Sequence, residues 1–86
     1  MYLIVTYDIS NDKKRNRLAK DLLQFGIRTQ KSFFECEVNK KELTIIKQII
    51  NRMADGDDLV TIYHTNEENI ERIGDVKYIE VDDMVF

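Results

Sequence analysis

The chain opens on an unbroken apolar run, Met1-Tyr2-Leu3-Ile4-Val5, which Thr6 and Tyr7 carry to the first carboxylate at Asp8. Such a run, without alternation, reads as a strand over 2–7 covered on both faces. Ser10, Asn11 and Asp12 follow, three residue types whose short side chains accept from the free N–H groups of a first helical turn. The helix they open runs to Phe25, with Leu18, Ala19, Leu22, Leu23 and Phe25 as its apolar stripe, and Gly26 supplies a left-handed stop. Over 28–38 the period becomes two, with Phe34, Cys36 and Val38 on one face and Phe33, Glu35 and Glu37 on the other. No Asn-Gly or Gly-Gly pair marks a hairpin there. One strand, or two short strands meeting near Lys31-Ser32, both satisfy the pattern.

The second helix is more sharply drawn. Asn39 with Glu42 three residues on reads as a capping box. Leu43, Ile46, Ile50 and Met53, flanked by Ile45 and Ile49, build a wide apolar face that Asp55-Gly56-Asp57 ends. Residues 59–63, Leu-Val-Thr-Ile-Tyr, read as a further strand buried on both faces, 67–72 as a helical turn, and 76–81 as a last strand. The order β-α-β(β)-α-β-β, with right-handed crossovers, predicts one α/β domain over 1–86. It is a ferredoxin-like βαββαβ sandwich with two helices on one sheet face and an additional C-terminal strand. At 86 residues the core just suffices. Oligomerisation is an easy way to bury more, and the apolar end Met84-Val85-Phe86 predicts a homodimer in which the last strand pairs with the partner's sheet.

Charge changes the picture more than composition does. The net charge is only −3, yet residues 13–31 carry Lys13, Lys14, Arg15, Arg17, Lys20, Arg28 and Lys31 against Asp21 alone. Residues 54–86 hold ten acids against Arg72 and Lys77. This segregation predicts a basic surface for a polyanion and an acidic surface on the opposite face, suited to a basic protein partner. Cys36 is the only cysteine, so a disulfide or thiolate cluster within one chain is excluded, and a small buried hydrophobe is its expected role. The opening apolar run is too short for a secretion signal or a membrane span, which predicts a cytoplasmic protein with no membrane partner.

Candidate chemistry converges on the mouth of the first strand. Asp8 stands where open α/β sheets collect ligand and catalytic groups, between Tyr7 and three better-placed cap residues. The plainer role for it is a loop carboxylate assisting the cap. Arg15 falls on the azimuth of Leu18, Ala19 and Leu22, so its charge must be paired, with Asp8 as the natural partner, or face a cleft. Arg17 points to solvent. His64 lacks a second histidine and reads as structural, and the three glycines, Gly26, Gly56 and Gly74, form no phosphate loop.

Those residues carry a resemblance. Val5-x-Tyr7-Asp8-Ile9-Ser10, Arg15-x-Arg17, Gly26-x-Arg28-x-Gln30-x-Ser32-x-Phe34-Glu35 and Asp58-x-Val60-x-Ile62-Tyr63 resemble the CRISPR-associated endonuclease Cas2 family over nearly the whole chain. Position 33 is Phe where that family more often has Val. The resemblance implies a ferredoxin-like homodimer with two short strands over 28–38. It also implies an Asp8 that binds Mg²⁺ (or Mn²⁺) at the dimer axis and carries catalysis, and partnership with the Cas1 integrase in spacer acquisition. Its implied substrate is RNA or double-stranded DNA, and the charge segregation offers Lys13, Lys14, Arg15, Arg17, Arg28 and Lys31 as the phosphate contacts, with Tyr7, Ser32 and Phe34 in support. A non-catalytic DNA-holding scaffold is the alternative within the family. A toxin-type ribonuclease related to virulence-associated protein D fits less well, because Arg15-x-Arg17 and Gln30-x-Ser32 suit the CRISPR family better.

Overall fold

A computed structural model describes residues 1–75. Four strands, β1 (Tyr2–Asp8), β2 (Gly26–Gln30), β3 (Phe33–Glu37) and β4 (Leu59–Thr65), form one antiparallel sheet in the order β2-β3-β1-β4. With α1 (Asp12–Leu22) and α2 (Lys40–Met53) between them, this is the ferredoxin-like arrangement. A short 3-10 turn, Glu67–Asn69, follows β4. The expected last strand, 76–81, and the Met84-Val85-Phe86 end lie outside the described residues.

The helices cover one face. Leu3, Val5 and Tyr7 of β1 and Phe34 and Cys36 of β3 point to it, where Leu18, Ala19, Leu22 and Ile46 meet them in a single buried cluster. The register that pairs Leu3 with Cys36 and Val5 with Phe34 puts these side chains in one plane. Both helices start as their sequences dictate. Asn11 Oδ1 accepts from the Lys14 N–H at 3.0 Å, and Asn39 and Glu42 complete the capping box at 2.8 and 3.1 Å.

Three expectations are corrected. The run in β1 is not buried on both faces: Tyr2, Ile4 and Thr6 stay half-buried on the side away from the helices. In β4 no residue is buried, and Leu59 and Tyr63 are well exposed. The reason is topological, since among the described residues β4 is an edge strand of a sheet that carries helices on one side only. The third correction concerns Gly26. Helix α1 stops at Leu22 and tightens through Gln24 N–H to Asp21 and Phe25 N–H to Leu22. Gly26 then starts β2 without a positive φ, a conformation confined to Gly56 and Gly74 among the described residues. Glycine is needed there for space, because a Cβ would overlap the Glu35 carbonyl oxygen and come within 2.7 Å of Cys36 Sγ.

Residues 28–38 resolve into two strands, as the resemblance implied. A register irregularity between Arg28 and Gln30 and a turn at Lys31-Ser32 separate them.

Candidate functional site

Asp8 is the last residue of β1, opposite Leu59 of β4, and is exposed. Its carboxylate forms no hydrogen bond or ion pair among the described residues. The expected cap role is taken by Asn11. Arg15 bends back under the loop instead of meeting Asp8. It donates to the Ile9 carbonyl at 2.8 Å and the Ser10 carbonyl at 3.4 Å, and pairs with Asp12. The loop that presents Asp8 is therefore tied down from below, and Ile9 is buried beside it.

The second wall of the site is the β2–β3 turn. The Lys31 carbonyl accepts from Tyr7 Oη at 3.1 Å and from the Arg28 guanidinium, which also reaches the Gln30 carbonyl at 3.3 Å. The Tyr7 backbone N–H donates to the Ser32 carbonyl at 3.3 Å. Tyr7 and Phe34 stack with ring centroids 6.3 Å apart, and the Arg28 guanidinium lies 5.7 Å from the Phe34 centroid. Burial holds the Tyr7 phenol above its ordinary pKa and the Arg28 guanidinium below its own. Tyr7, Arg28 and Phe34 thus act as positioning residues that fasten the Lys31-Ser32 turn next to the mouth of β1.

This arrangement redistributes the basic residues that the sequence grouped together. Arg28 is 1% exposed and does not face a phosphate; it is a structural cation. Lys14 is engaged by Asp55 and by Asp58, the latter at 3.0 Å. Asp58 is held below the usual carboxylate range, first by the Asp55 backbone N–H and then by Lys14. Lys13 and Lys31 are exposed, and Arg17 extends into solvent with only a loose approach to Asp21 at 3.8 Å. They remain the candidates for phosphate contact.

The acidic partners of Lys14 and Arg15 were not legible as partners, since Asp55 read as part of a helix terminator, Asp58 as the start of the strand motif that carries the resemblance, and Asp12 as a cap. A further cluster escaped entirely. Glu35, on the sheet face away from the helices, is 4% exposed. Arg72 reaches it with both terminal nitrogens, one at 2.6 Å, and Tyr2 Oη donates at 2.8 Å. Arg72 holds the Glu35 carboxyl below its usual range, and burial with the Glu35 contact pushes the Tyr2 phenol up to about 12. The partners are 37 residues apart, so no local pattern announces the pair.

As to metals, no group of three or more His, Cys, Asp or Glu that could hold an ion exists among the described residues. Asp8 offers one open carboxylate, a donor set compatible with a hard cation that keeps waters and phosphate as its other ligands. No helix of the described residues is long and apolar enough to cross a membrane.

Comparison with known proteins adds an independent line. The family described as CRISPR associated protein Cas2 matches residues 1–73. The CRISPR-associated endoribonuclease Cas2 of Mycobacterium tuberculosis is 41% identical over 63 residues, covering 73% of this chain and 56% of that protein. The chain thus spans little more than half the length of that relative. The crystal structure of Streptococcus pyogenes Cas2 at pH 6.5 superposes with a TM-score of 0.75 at 29% identity, covering 86% of this chain and all of that one. A chain of a partial Cas6-RT-Cas1–Cas2 complex superposes with a TM-score of 0.62 at 27% identity, covering 87% of this chain and 89% of that one.

Proposed function

Because this chain belongs to the CRISPR-associated Cas2 family, we propose that it is a metal-dependent endonuclease and nucleic-acid-binding subunit of CRISPR spacer acquisition, working as a homodimer through Asp8. The observation that carries the reading is the position of Asp8, exposed at the end of β1 and flanked by the buttressed Ile9 loop and Lys31-Ser32 turn. One carboxylate per chain is a thin site, and a two-fold axis near the strand mouth would bring a second copy of Asp8 to the same ion. The half-open face carrying Ile4 and Tyr63 and the edge of β4, which has no strand partner beyond β1 among the described residues, give such a partner something to cover. A mass of two chains by light scattering at micromolar concentration is expected.

Asp8 from both copies would hold Mg²⁺ or Mn²⁺. When bound, the ion supplies Lewis-acid polarisation of the phosphodiester and an acidified water. The chain's own residues do the rest. Lys13, Arg17 and Lys31 attract and steady the backbone of RNA or duplex DNA, while Tyr7, Arg28 and Phe34 keep the turn that frames Asp8 from shifting. The Cas2 relative in the Cas1-containing assembly supports Cas1 as the protein partner here.

The test is Asp8→Asn and Asp8→Ala with chelator controls. Loss of cleavage from a dimeric, folded variant is expected, and wild-type turnover from either variant would refute the assignment. The scaffold reading is favoured by the single-carboxylate donor set. Spacer acquisition in cells separates the two, since a scaffold keeps it without Asp8 and a required nuclease does not.

A further inference from the structure

A groove of about 500 Å³ runs between α1 and α2 on the helix side of the molecule. Its floor is Ile49 and Met53, both packed against the core, and its walls include Lys13, Arg17 and Arg52 with Asp21. We propose that Arg52, on the last turn of α2, joins Lys13 and Arg17 as a contact for the nucleic-acid phosphate backbone, so that the basic surface spans both helices across this groove. The inference rests on the nucleic-acid reading above and adds to it a residue that lies far outside the basic stretch at 13–31.

Three observations support it. First, the cations here exceed what the fold needs. Lys14 at the groove's edge is taken up by Asp55 and Asp58, and Arg17 approaches Asp21 only loosely. Lys13 and Arg52 are exposed and form no ion pair among the described residues. Second, Lys13 sits in the first turn of α1, where a cation opposes the helix dipole. Helix stability does not explain it, whereas an anion at that end gains from both the charge and the dipole. Third, the apolar floor is small, and the aliphatic stems of lysine and arginine can lie along such a surface while their heads meet in solvent. That leaves a charged rim in place of an open apolar slot, and the charge complement of such a rim is a polyanion.

Arg52 has a plainer role as a cation at a helix C-terminus, favourable to the α2 dipole. The salt dependence of binding separates the two. Affinity for two duplexes of unrelated sequence is measured between roughly 50 and 200 mM salt for the wild type, Arg52→Gln, Arg52→Lys and the pair Lys13→Gln with Arg17→Gln. Loss of one phosphate contact lowers the slope of log affinity against log salt by about 0.9, so each engaged copy removes a roughly 3–4-fold change over that range. The expected result is a flatter slope for Arg52→Gln on both duplexes, a wild-type slope for Arg52→Lys, and a flatter slope for the α1 pair. If the α1 pair flattens the slope and Arg52→Gln does not, the inference is overturned and the nucleic-acid reading stands. If neither does, the basic face itself is not a nucleic-acid surface. A lower melting temperature for Arg52→Gln at an unchanged slope assigns Arg52 to helix stability and overturns the proposal. So does loss of binding to an acidic peptide with duplex affinity intact.

Discussion

Replacing Arg28 by Ala tests whether a residue that looks like a phosphate contact is in fact part of the frame around the site. The side chain is 1% exposed and donates to the Gln30 and Lys31 carbonyls while lying against the Phe34 ring. Hydrogen bonds from a charged donor contribute about 1.5–3 kcal/mol each, and the ring contact adds roughly 0.5–1 kcal/mol or more. Part of that loss is recovered, because Gln30 and Lys31 are exposed residues whose carbonyls water can reach once the guanidinium is gone. A net loss of about 3 kcal/mol follows. That is a large share of a small domain's stability, and at about 4–8 °C per kcal/mol it lowers the melting temperature by roughly 12–24 °C. Arg28→Lys restores the charge without the planar fork and should recover only part of this. Thermal and urea unfolding at matched protein concentration measure the loss. A salt titration of duplex binding, below the melting transition, should keep the wild-type slope. A stable Arg28→Ala protein with a flattened slope would refute the reasoning and return Arg28 to the phosphate-binding set.

Other consequences follow from the same geometry. Gly26→Ala gains a few tenths of a kcal/mol from backbone entropy but must displace the Glu35 carbonyl. A net destabilisation of about 1–3 kcal/mol is expected by urea titration, and a neutral variant would revive the helix-stop role. Glu35 is held below its ordinary pKa of 4.5 by Arg72, so its contribution is complete above that value and fades as pH falls through the lower folded-state value. Wild-type stability should therefore fall more steeply than that of Glu35→Gln below about pH 4.5, and parallel acid profiles would remove the pair from the account. Burial pushes the Cys36 thiol up to about 11, so a thiol reagent at pH 8 should label it at the rate of opening and not at that of a free cysteine.

Local patterns carried the local features. Asn39 and Glu42 stand at the spacing a capping box requires, and the period-two residues Phe34, Cys36 and Val38 are all buried. The position of Asp8 at the exposed end of β1 was legible because it directly follows an apolar run. Other features depended on the sheet, which the chain does not spell out residue by residue. Continuous apolarity in β4 suggested two covered faces, but its place at the edge of a one-sided sheet leaves it open among the described residues. Arg28 read as one cation among seven, and only its pairing with Phe34 across β2 and β3 turns it inward. Lys14 with Asp58, Arg72 with Glu35, and Arg52 and Lys13 on one groove are likewise products of topology. Charge segregation set residues 13–31 apart as basic and placed the acidic segment on the opposite face, whereas Asp55 and Asp58 of that segment fold back onto Lys14.

The proposed divalent-metal site joins Asp8 from two copies of the chain. The most direct measurement is a Mn²⁺ titration of the purified dimer, followed by electron paramagnetic resonance, for the wild type and Asp8→Asn. One ion per two chains in the wild type, and none at that affinity in Asp8→Asn, is the predicted result. Undiminished Mn²⁺ binding by a folded, dimeric Asp8→Asn protein would contradict it.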